Sequence, residues 1–466
     1  MNPYYSDSFI TLYNTSSRRI PLPDESVHCV VTSPPYWNLR KYEGDRGDVW
    51  GGVPCLHEWD SLWQRPAHPD RSSGGRDMKA SGVFVAGRDQ PAKAARGEAF
   101  DYGETCVRCG AWRGKYGLEP TVAMYIAHSL KFLLEIRRVL RPDGIVFWNI
   151  GDSYFGSPRA TGCKKTRNLM VAESRKSNHF TIKQEGLKSK DMCLIPQCMA
   201  IAAQDAGWYV RSIIVWSKPN PMPGSQKDRP TTSHEYILML TKSERYFYDA
   251  EAVKEPLSES TMNDKRNSTG RHTQCEEGKF SEVERPDLPS WYRGKAFVNA
   301  DSGRNLRTVW TFPTQPCSEK HYAVFPDELA DRCIKAGTSD RGCCPKCGAP
   351  WRRILNRKFV PAEDVTAARG VRGAEGTKGA CAGNRNDGYP RGRTDVITEG
   401  WTSSCKCGCD NPVPCTVLDP FSGRGTTLRV ARGLGRNAVG CEISAEYCAM
   451  AARHLRKRQQ IKMTGV

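Results

Sequence analysis

The stretch of sequence that decides the fold runs TVLDPFSGRGTT, from Thr416 to Thr427. Its first residues predict a short buried strand, and its last two threonines begin a helix. Gly423 and Gly425 lie in the turn between strand and helix, where a missing side chain lets the backbone approach a bound ligand closely. The turn is neither a dinucleotide fingerprint nor a phosphate loop, because its glycine spacing differs and no Gly-Lys-Ser/Thr follows.

The sequence continues from this helix into a second short strand. Residues 438–442 read AVGCE, so the strand ends in Glu442. An acid at the end of the second strand commonly accepts hydrogen bonds from ribose hydroxyls. The order strand, glycine-rich turn, helix, strand and acid therefore predicts a site for a nucleoside-type cofactor. The alternative is a plain βα turn followed by a surface glutamate.

Near the N-terminus, a second motif reads SPPY from Ser33 to Tyr36 and follows a predicted buried strand, Val27–Thr32. The two prolines restrict φ and remove two backbone donors, which leaves neighbouring carbonyls available. A serine hydroxyl and such a carbonyl can both accept hydrogen bonds from an amino group on a flat ring. Tyr36 can stack on that ring, as aromatic side chains do on a base that has left its duplex. The alternative is an ordinary turn at the end of a strand.

Together the two motifs resemble those of the DNA amino-methyltransferases that use S-adenosylmethionine. The order, with the catalytic motif first and the cofactor motif last, resembles the β group of that family. The resemblance implies that Ser33 and the Pro34 carbonyl hold the target amino group and that Tyr36 stacks on the flipped base. The catalytic residues that it implies are Ser33, Pro34, Pro35 and Tyr36.

The same resemblance implies a set of cofactor-binding residues. Phe421 corresponds to a residue that packs against the cofactor, and Asp7 to an aspartate near its adenine, although the usual preceding glycine is missing. Residues 216–221, WSKPNP, resemble a family loop near the target base. The cofactor-binding residues are Asp7, Asp419, Pro420, Phe421, Ser422, Gly423, Gly425, Thr426, Thr427 and Glu442.

Strands that alternate with helices along the chain predict an α/β fold with a mostly parallel sheet. The resemblance makes this a Rossmann-like methyltransferase fold, with an antiparallel edge hairpin that we place at Tyr236–Leu240 and Tyr246–Tyr248. We expect one catalytic domain in five pieces, 1–54, 116–155, 191–250, 306–342 and 412–466. The polar segments between them are predicted insertions, at 55–115, 156–190, 251–305 and 343–411.

The twenty cysteines form clusters, which points to metal rather than to disulfides in a chain without a predicted secretion signal. A CPKCG knuckle at Cys344 and Cys347 is followed by Cys405 and Cys407, and these four predict a structural zinc ribbon in the insertion at 343–411. Cys343 and Cys409 are spare sulfurs, so this ligand set is one of several. A second closed site is predicted from Cys55, His57, Cys106 and Cys109. Reduced loop cysteines are the alternative in both cases.

The net charge of +18 favours a polyanionic partner, which we take to be double-stranded DNA. The segment 156–190 holds nine lysines and arginines against two glutamates, and Lys164, Lys165 and Arg167 are its predicted phosphate contacts. A solvated insertion is the alternative. The segment 251–305, with Trp291 and Tyr292, is the candidate for target recognition. No apolar run is long enough for a membrane span, and we expect a cytoplasmic protein.

The sequence therefore predicts a site-specific DNA methyltransferase that modifies an exocyclic base nitrogen. Ser33 at the first motif position favours cytosine N4, because adenine-N6 enzymes of the family more often have aspartate there. The alternatives are an adenine-N6 enzyme, a related enzyme that acts on RNA or a glutamine amide, and a non-catalytic zinc-ribbon protein that binds DNA. Whether a restriction endonuclease accompanies the chain is not readable from its sequence.

Overall fold

The computed structural model describes residues 1–38, 47–61, 103–155, 186–224, 226–256, 303–315, 325–361 and 392–463. Its centre is a nine-stranded sheet with the order β1-β2-β15-β14-β3-β8-β10-β9-β11. The strands are β1 (Tyr5–Ser6), β2 (Ile10–Asn14), β3 (Val27–Thr32), β8 (Leu140–Ile150), β9 (Tyr209–Ser217), β10 (His234–Thr241), β11 (Val309–Thr311), β14 (Thr416–Asp419) and β15 (Asn437–Glu442).

The sheet is mostly parallel, which confirms the predicted α/β fold. β2, β15, β14, β3 and β8 pair in parallel, and β11 pairs in parallel with β9. β1 pairs antiparallel to β2, and β10 runs antiparallel to both β8 and β9. β3 is buried at all six positions, as expected of a central parallel strand that is covered on both faces.

Helices cover both faces of this sheet and form two hydrophobic cores. One core contains α1 and α2, and the other contains α3 to α5. α1 begins after Thr121, whose side chain accepts a hydrogen bond from the amide of Met124. The helices are α1 (Val122–Val139), α2 (Ile195–Asp205), α3 (Asp327–Gly337), α4 (Thr426–Gly433) and α5 (Ala445–Met463), with a 3-10 turn at Glu251–Val253.

Two smaller sheets come from the predicted insertions. The first has the order β4-β7-β6-β5, and the second is the two-stranded β12-β13 ribbon. Because β4 pairs with β7, residues 48–50, which we assign to the first piece of the catalytic domain, join this smaller sheet. The strands are β4 (Asp48–Trp50), β5 (Trp59–Ser61), β6 (Glu104–Cys106), β7 (Trp112–Gly114), β12 (Arg352–Pro361) and β13 (Gly392–Thr402).

The predicted antiparallel hairpin is present but was assigned to the wrong second strand. β10 pairs with β9, whereas Tyr246–Tyr248 forms no strand and its Phe247 amide donates to the Asp143 carbonyl at 2.9 Å. The hairpin is also not at the sheet edge, because β11 lies outside β9. Residues 246–248 are all aromatic, and Tyr246 packs against the core while Phe247 is buried, so this loop resembles a strand over three residues.

The predicted phosphate contacts Lys164, Lys165 and Arg167 lie outside the described residues, and so does most of the segment 251–305. None of the helices in the described part of the chain combines the length and the apolar character that a bilayer crossing requires.

Candidate active site and metal centres

The catalytic motif and the cofactor motif meet because β3 and β14 are neighbours. Leu418 pairs with Val30, so both strands end at the same edge of the sheet. There the Thr32 hydroxyl donates to Asp419 Oδ1 at 2.6 Å, and the Thr427 hydroxyl donates to Asp419 Oδ2 at 2.7 Å. Burial raises the pKa of Asp419 to about 6, against the lowering effect of these hydrogen bonds.

Asp419 is a buried hydrogen-bond acceptor that stabilises the glycine-rich turn. One carboxylate oxygen also accepts from the Phe421 amide at 3.1 Å, and the residue is 1% exposed. These hydrogen bonds give Asp419 a supporting role in the turn. Its direct participation in cofactor binding stays a prediction.

The turn packs tightly against the end of β15. The Ser422 amide donates to the Cys441 carbonyl at 3.0 Å, and a Cβ added to Gly440 would lie 3.0 Å from Ser422 Cβ. Pro420 offers its carbonyl to the Ser17 hydroxyl. Gly423 and Gly425 both have positive φ, at 50° and 81°, which side chains other than glycine rarely adopt. Gly440 is a required residue that the sequence motif alone does not mark.

Several groups in this turn suit a nucleoside-type cofactor. Ser422 Oγ and Thr426 Oγ1 are buried, and neither has a hydrogen-bond partner among the described residues. Gly425 precedes α4, so the first amides of that helix point toward the turn. Unpartnered buried hydroxyls are uncommon in proteins, and a bound ligand accounts for them. The set of groups therefore fits the cofactor that the resemblance implies.

Glu442 closes this site at the end of β15. Its Oε2 accepts from the Gly423 amide at 2.8 Å, and its Oε1 accepts from the Ser444 amide at 2.9 Å. Burial raises the pKa of this carboxyl to about 7, although both amides act in the opposite direction. The acid is therefore at the position that the sequence predicts, next to the glycine-rich turn.

Phe421 belongs to an aromatic wall beside the turn. Its ring centroid lies 4.9 Å from that of Phe132, 5.9 Å from that of Tyr116 and 6.0 Å from that of Trp148. Phe132 is on α1 and Trp148 on β8, while Tyr116 lies in the connection from the first insertion. The flat surfaces of these rings provide an apolar side to the site.

The structure places Asp7 away from the glycine-rich turn. Its carboxylate accepts from the Phe9 and Ile10 amides and forms an ion pair with Arg432 at 3.0 Å. Ile10 pairs with Ala438 at the start of β15, so Asp7 is at the opposite end of that strand from Glu442. Four residues of strand separate those ends by about 13 Å.

The polar residue that lies beside Glu442 is Asn14 at the end of β2. Its side-chain amide donates to the Glu442 carbonyl at 2.9 Å and to the Ile443 carbonyl at 3.1 Å. A search for a polar residue at the end of the strand, and not before it, would have found this position.

The SPPY motif follows β3 directly and is supported by a hydrogen bond from α1. The Tyr125 hydroxyl on α1 donates to the Pro35 carbonyl at 2.9 Å. No hydrogen bond to the Pro34 carbonyl comes from the residues that the structure describes. The carbonyl that the resemblance assigns to the amino group is therefore the available one. Gly151 leaves room for the Tyr36 ring, because an added Cβ would lie 2.8 Å from its Cε2 atom.

The Tyr36 hydroxyl is the centre of a polar network that the sequence does not predict. It donates to Glu235 Oε2 at 2.6 Å, and it accepts from Asn149 Nδ2 at 2.8 Å and from Ser33 Oγ at 3.2 Å. Glu235 in turn accepts from Lys218 Nζ. Lys218 belongs to the WSKPNP loop, which the resemblance places near the target base. That loop is the sequence feature that points to this network.

The first predicted metal cluster is assembled as expected. The ligand atoms of Cys55, His57, Cys106 and Cys109 all lie within 4.8 Å of one another. The sulfurs of Cys55 and Cys106 are 3.8 Å apart, which is about the edge of a tetrahedron with Zn–S bonds of about 2.3 Å. The donor set and its spacing therefore fit a structural zinc ion.

This first insertion is joined to the catalytic loop through Glu119. The buried Glu119 carboxylate accepts from the Gly117 amide at 2.8 Å and pairs with His128 Nδ1 at 3.0 Å. The Gly117 carbonyl accepts from the Asn38 amide, and the Glu119 carbonyl accepts from Trp37 Nε1. Residues just after the SPPY motif are thereby held by the segment that follows the cluster.

The second cluster is also assembled as predicted, from Cys344, Cys347, Cys405 and Cys407, again within 4.8 Å. Cys409 is not part of this set. The knuckle is attached to the base of the catalytic sheet, since Arg141 Nη1 donates to the Cys347 carbonyl at 2.6 Å.

His28, Cys343 and Cys415 form a third buried group within 4.8 Å. The two ring nitrogens of His28 are already engaged, one by the Gly348 carbonyl at 2.8 Å and the other by the Thr416 amide at 3.1 Å. A histidine with both nitrogens hydrogen-bonded offers no lone pair to a metal ion. This group therefore links the knuckle to β3 and β14 without a metal of its own.

Comparison with known proteins agrees with this arrangement of fold and site, which is that of a nucleic-acid amino-methyltransferase. Residues 27–344 and 415–453 match the model of the N6/N4 methyltransferase family, described as DNA methylase. Since the match covers most of the chain, the protein belongs to that DNA methylase family.

Two relatives and one solved structure show what the chain is similar to. The Type II methyltransferase M.SmaI of Serratia marcescens is 29% identical over 346 residues, covering 74% of this chain and 79% of that protein. The Type II methyltransferase M.Cfr9I of Citrobacter freundii is 32% identical over 319 residues, covering 68% of each. Among solved structures, the chain is similar to the PvuII DNA methyltransferase (cytosine-N4-specific), with 12% identity, a TM-score of 0.42 and coverage of 97% of this chain and 87% of that one.

We predict two zinc ions per chain, one in each closed cluster. Cys109→Ser and Cys347→Ser should each remove one ion, because a tetrahedral site that loses a thiolate binds zinc far more weakly. Elemental analysis of protein purified without chelators measures the ratio. Cys198→Ser is the matched control, since Cys198 is exposed and outside both clusters, and it should keep both ions. Wild-type protein without zinc would contradict both assignments.

We also predict that cofactor affinity depends on the ionisation of Glu442. Ribose hydroxyls donate to the ionised carboxylate, so binding lowers its pKa from about 7, and affinity should rise as pH increases from about 5.5 to 7.5. Calorimetric titration with S-adenosylmethionine across that range tests this. Glu442→Gln should flatten the profile. An equally steep profile in this variant would assign the dependence to another group.

Proposed function

We propose that this protein is a site-specific DNA methyltransferase that transfers a methyl group from S-adenosylmethionine to the exocyclic amino group of a base. The observation that carries the proposal is the contact between Thr32 and Asp419, at the ends of adjacent strands. It places the loop suited to hold an amino group directly beside the turn suited to hold a nucleoside-type cofactor. Membership of the DNA methylase family supports the same reaction class.

The residues of the chain act by binding and orientation. Bound S-adenosylmethionine supplies an electrophilic methyl group. Ser33 Oγ and the Pro34 carbonyl accept hydrogen bonds from the target NH2 group and direct its lone pair toward the cofactor turn. Tyr36 stacks on the flipped base, with its ring held by Gly151 and its hydroxyl by Glu235. Holding two reactants in such a geometry accelerates transfer without a covalent enzyme–base intermediate.

The two metal clusters have structural parts in this proposal. Zinc in the first would hold the insertion whose last residues brace the catalytic loop through Glu119. Zinc in the second would hold the knuckle that Arg141 and His28 attach to the sheet. Both sites are closed by four protein ligands, so neither offers a position for a substrate.

Double-stranded DNA is the proposed substrate, and a restriction system is the proposed setting. The relatives M.SmaI and M.Cfr9I are named Type II methyltransferases. The net charge of +18 favours binding to phosphates. A related enzyme that acts on RNA or on a glutamine amide is the competing enzymatic hypothesis, and a non-catalytic zinc-ribbon protein is the alternative of another class.

We propose cytosine N4 as the target and adenine N6 as the alternative. The family pattern places serine more often in cytosine-N4 enzymes and aspartate more often in adenine-N6 enzymes, and position 33 is serine. Both nitrogens are planar and weakly nucleophilic, so the same pair of acceptors can hold either.

We predict N4-methylcytosine in DNA incubated with the protein and S-adenosylmethionine. Mass spectrometry of the nucleosides, after transfer of a labelled methyl group to DNA, RNA or protein substrates, identifies the acceptor. Ser33→Ala and Tyr36→Ala should suppress the product while cofactor binding persists, because both act on the base. N6-methyladenine as the sole product would contradict the choice of base, and full activity in both variants would contradict the catalytic loop.

We predict that Lys164, Lys165 and Arg167 contact DNA phosphates. Replacing all three with alanine should weaken binding equally for all sequences and reduce the salt slope by up to about one unit per lost contact. Fluorescence anisotropy at several salt concentrations, with two DNA sequences, measures both quantities. A changed sequence preference with an unchanged slope would instead identify this segment as a base reader.

A further inference from the structure

A salt-bridged carboxylate lies two hydrogen bonds away from the catalytic serine. Glu235 Oε2 accepts from the Tyr36 hydroxyl at 2.6 Å and from Asn149 Nδ2 at 3.0 Å, and Oε1 accepts from Lys218 Nζ. The side chains of Lys218 and Glu235 are 18% and 19% exposed, so water competes little for this pair. Ionised carboxylates accept hydrogen bonds and cannot donate them.

This one-way acceptor fixes the direction of the whole chain of hydrogen bonds. Tyr36 has a single hydroxyl proton, and it donates that proton in its short hydrogen bond to Glu235. Toward Asn149 and Ser33, the Tyr36 oxygen must then act as the acceptor. The orientation of Asn149 agrees, because its reverse would place an amide oxygen against the carboxylate at 3.0 Å.

The consequence falls on Ser33. Its only hydroxyl proton points to Tyr36 at 3.2 Å, so what remains of its hydrogen-bonding capacity is acceptor lone pairs. A free serine hydroxyl could rotate and donate to a ring nitrogen, which would turn its lone pairs away from the amino group. Within this network that rotation would break the bond to Tyr36.

We propose that Glu235 is a positioning residue that makes the Ser33 hydroxyl a dedicated acceptor for the target amino group. This inference rests on the proposed function. The negative charge of Glu235, acting through the Tyr36 hydroxyl, thereby restricts a neutral serine to accepting hydrogen bonds. An ionised aspartate has this restriction by itself. Hydrogen bonds in such a chain polarise one another, so the acceptor strength of Ser33 also increases.

The test is a double-mutant cycle of Glu235→Gln and Tyr36→Phe. The substrate is a DNA duplex that contains the site mapped in wild-type-modified DNA, and single-turnover methyl transfer is the readout. A glutamine can donate to the Tyr36 oxygen, and a phenylalanine keeps the stacking ring but removes the hydroxyl. Each variant should lower the transfer rate about 10- to 100-fold, the range that follows from losing one hydrogen bond to a charged group.

The double variant should be no slower than Tyr36→Phe alone, because both changes break the same chain. Affinities for S-adenosylmethionine and for DNA should stay within about twofold, since neither binding surface changes. Tyr246→Phe is the control, because that hydroxyl contacts Arg211 away from the site, and it should keep the wild-type rate.

Losses that multiply in the double variant would overturn the proposal, as would a full rate in Glu235→Gln or an effect confined to DNA affinity. Should Glu235→Gln fail to fold, Tyr36→Phe decides alone, and a wild-type rate in that variant contradicts the network. A wild-type protein that methylates no DNA would instead refute the proposed function, which is a separate result.

Discussion

The bond between Thr32 and Asp419 is the contact on which the site depends. It joins the last residue of β3 to the last residue of β14, and Thr427 completes the link from the start of α4. A buried carboxylate without partners would be costly, and here both oxygens are occupied. Removing the hydroxyl of Thr32 or Thr427 would leave a buried carboxylate oxygen with fewer partners. It would also loosen the connection between the SPPY motif and the glycine-rich turn, which must act together. Thr32 and Asp419, which join the two motifs, are 387 residues apart in the sequence. The motifs form one site because the Asp419 carboxylate takes its hydrogen bonds from both β3 and α4.

Around that contact, the chain adds support from segments that carry no catalytic group. Tyr125 and Glu119 hold the residues around the SPPY motif from α1 and the segment before it, and the first metal cluster lies just beyond them. Arg141 and His28 attach the second knuckle at the base of β8 and β3. The described parts of the two insertions thus have defined attachment points on the catalytic sheet, which is how metal-stabilised modules commonly contribute.

The sequence could predict the parts of this structure that depend on local patterns. The strand before Ser33, the glycine-rich turn, Glu442 and both cysteine clusters are short motifs with a direct physical reason, and each lies where its pattern places it. Asp7 shows the limit, because the choice between the two ends of β2 depends on its register with β15. The Tyr246–Tyr248 segment shows a second limit, since three consecutive aromatic residues fit a strand and a packed loop equally.

Contacts between distant strands are the part that no local pattern contains. Glu235 is the second residue of β10 and Asn149 lies near the end of β8, and they meet because Tyr236 pairs with Ile150 in an antiparallel register. That pairing brings the Glu235 carboxylate to the edge of the sheet where the parallel strands have their C-terminal ends, beside Tyr36. An antiparallel strand in a parallel sheet therefore delivers its first residues to the site, where its parallel neighbours deliver their last ones. The antiparallel direction of β10 is thus what allows one residue of the hairpin to set the direction of the hydrogen bond at Ser33.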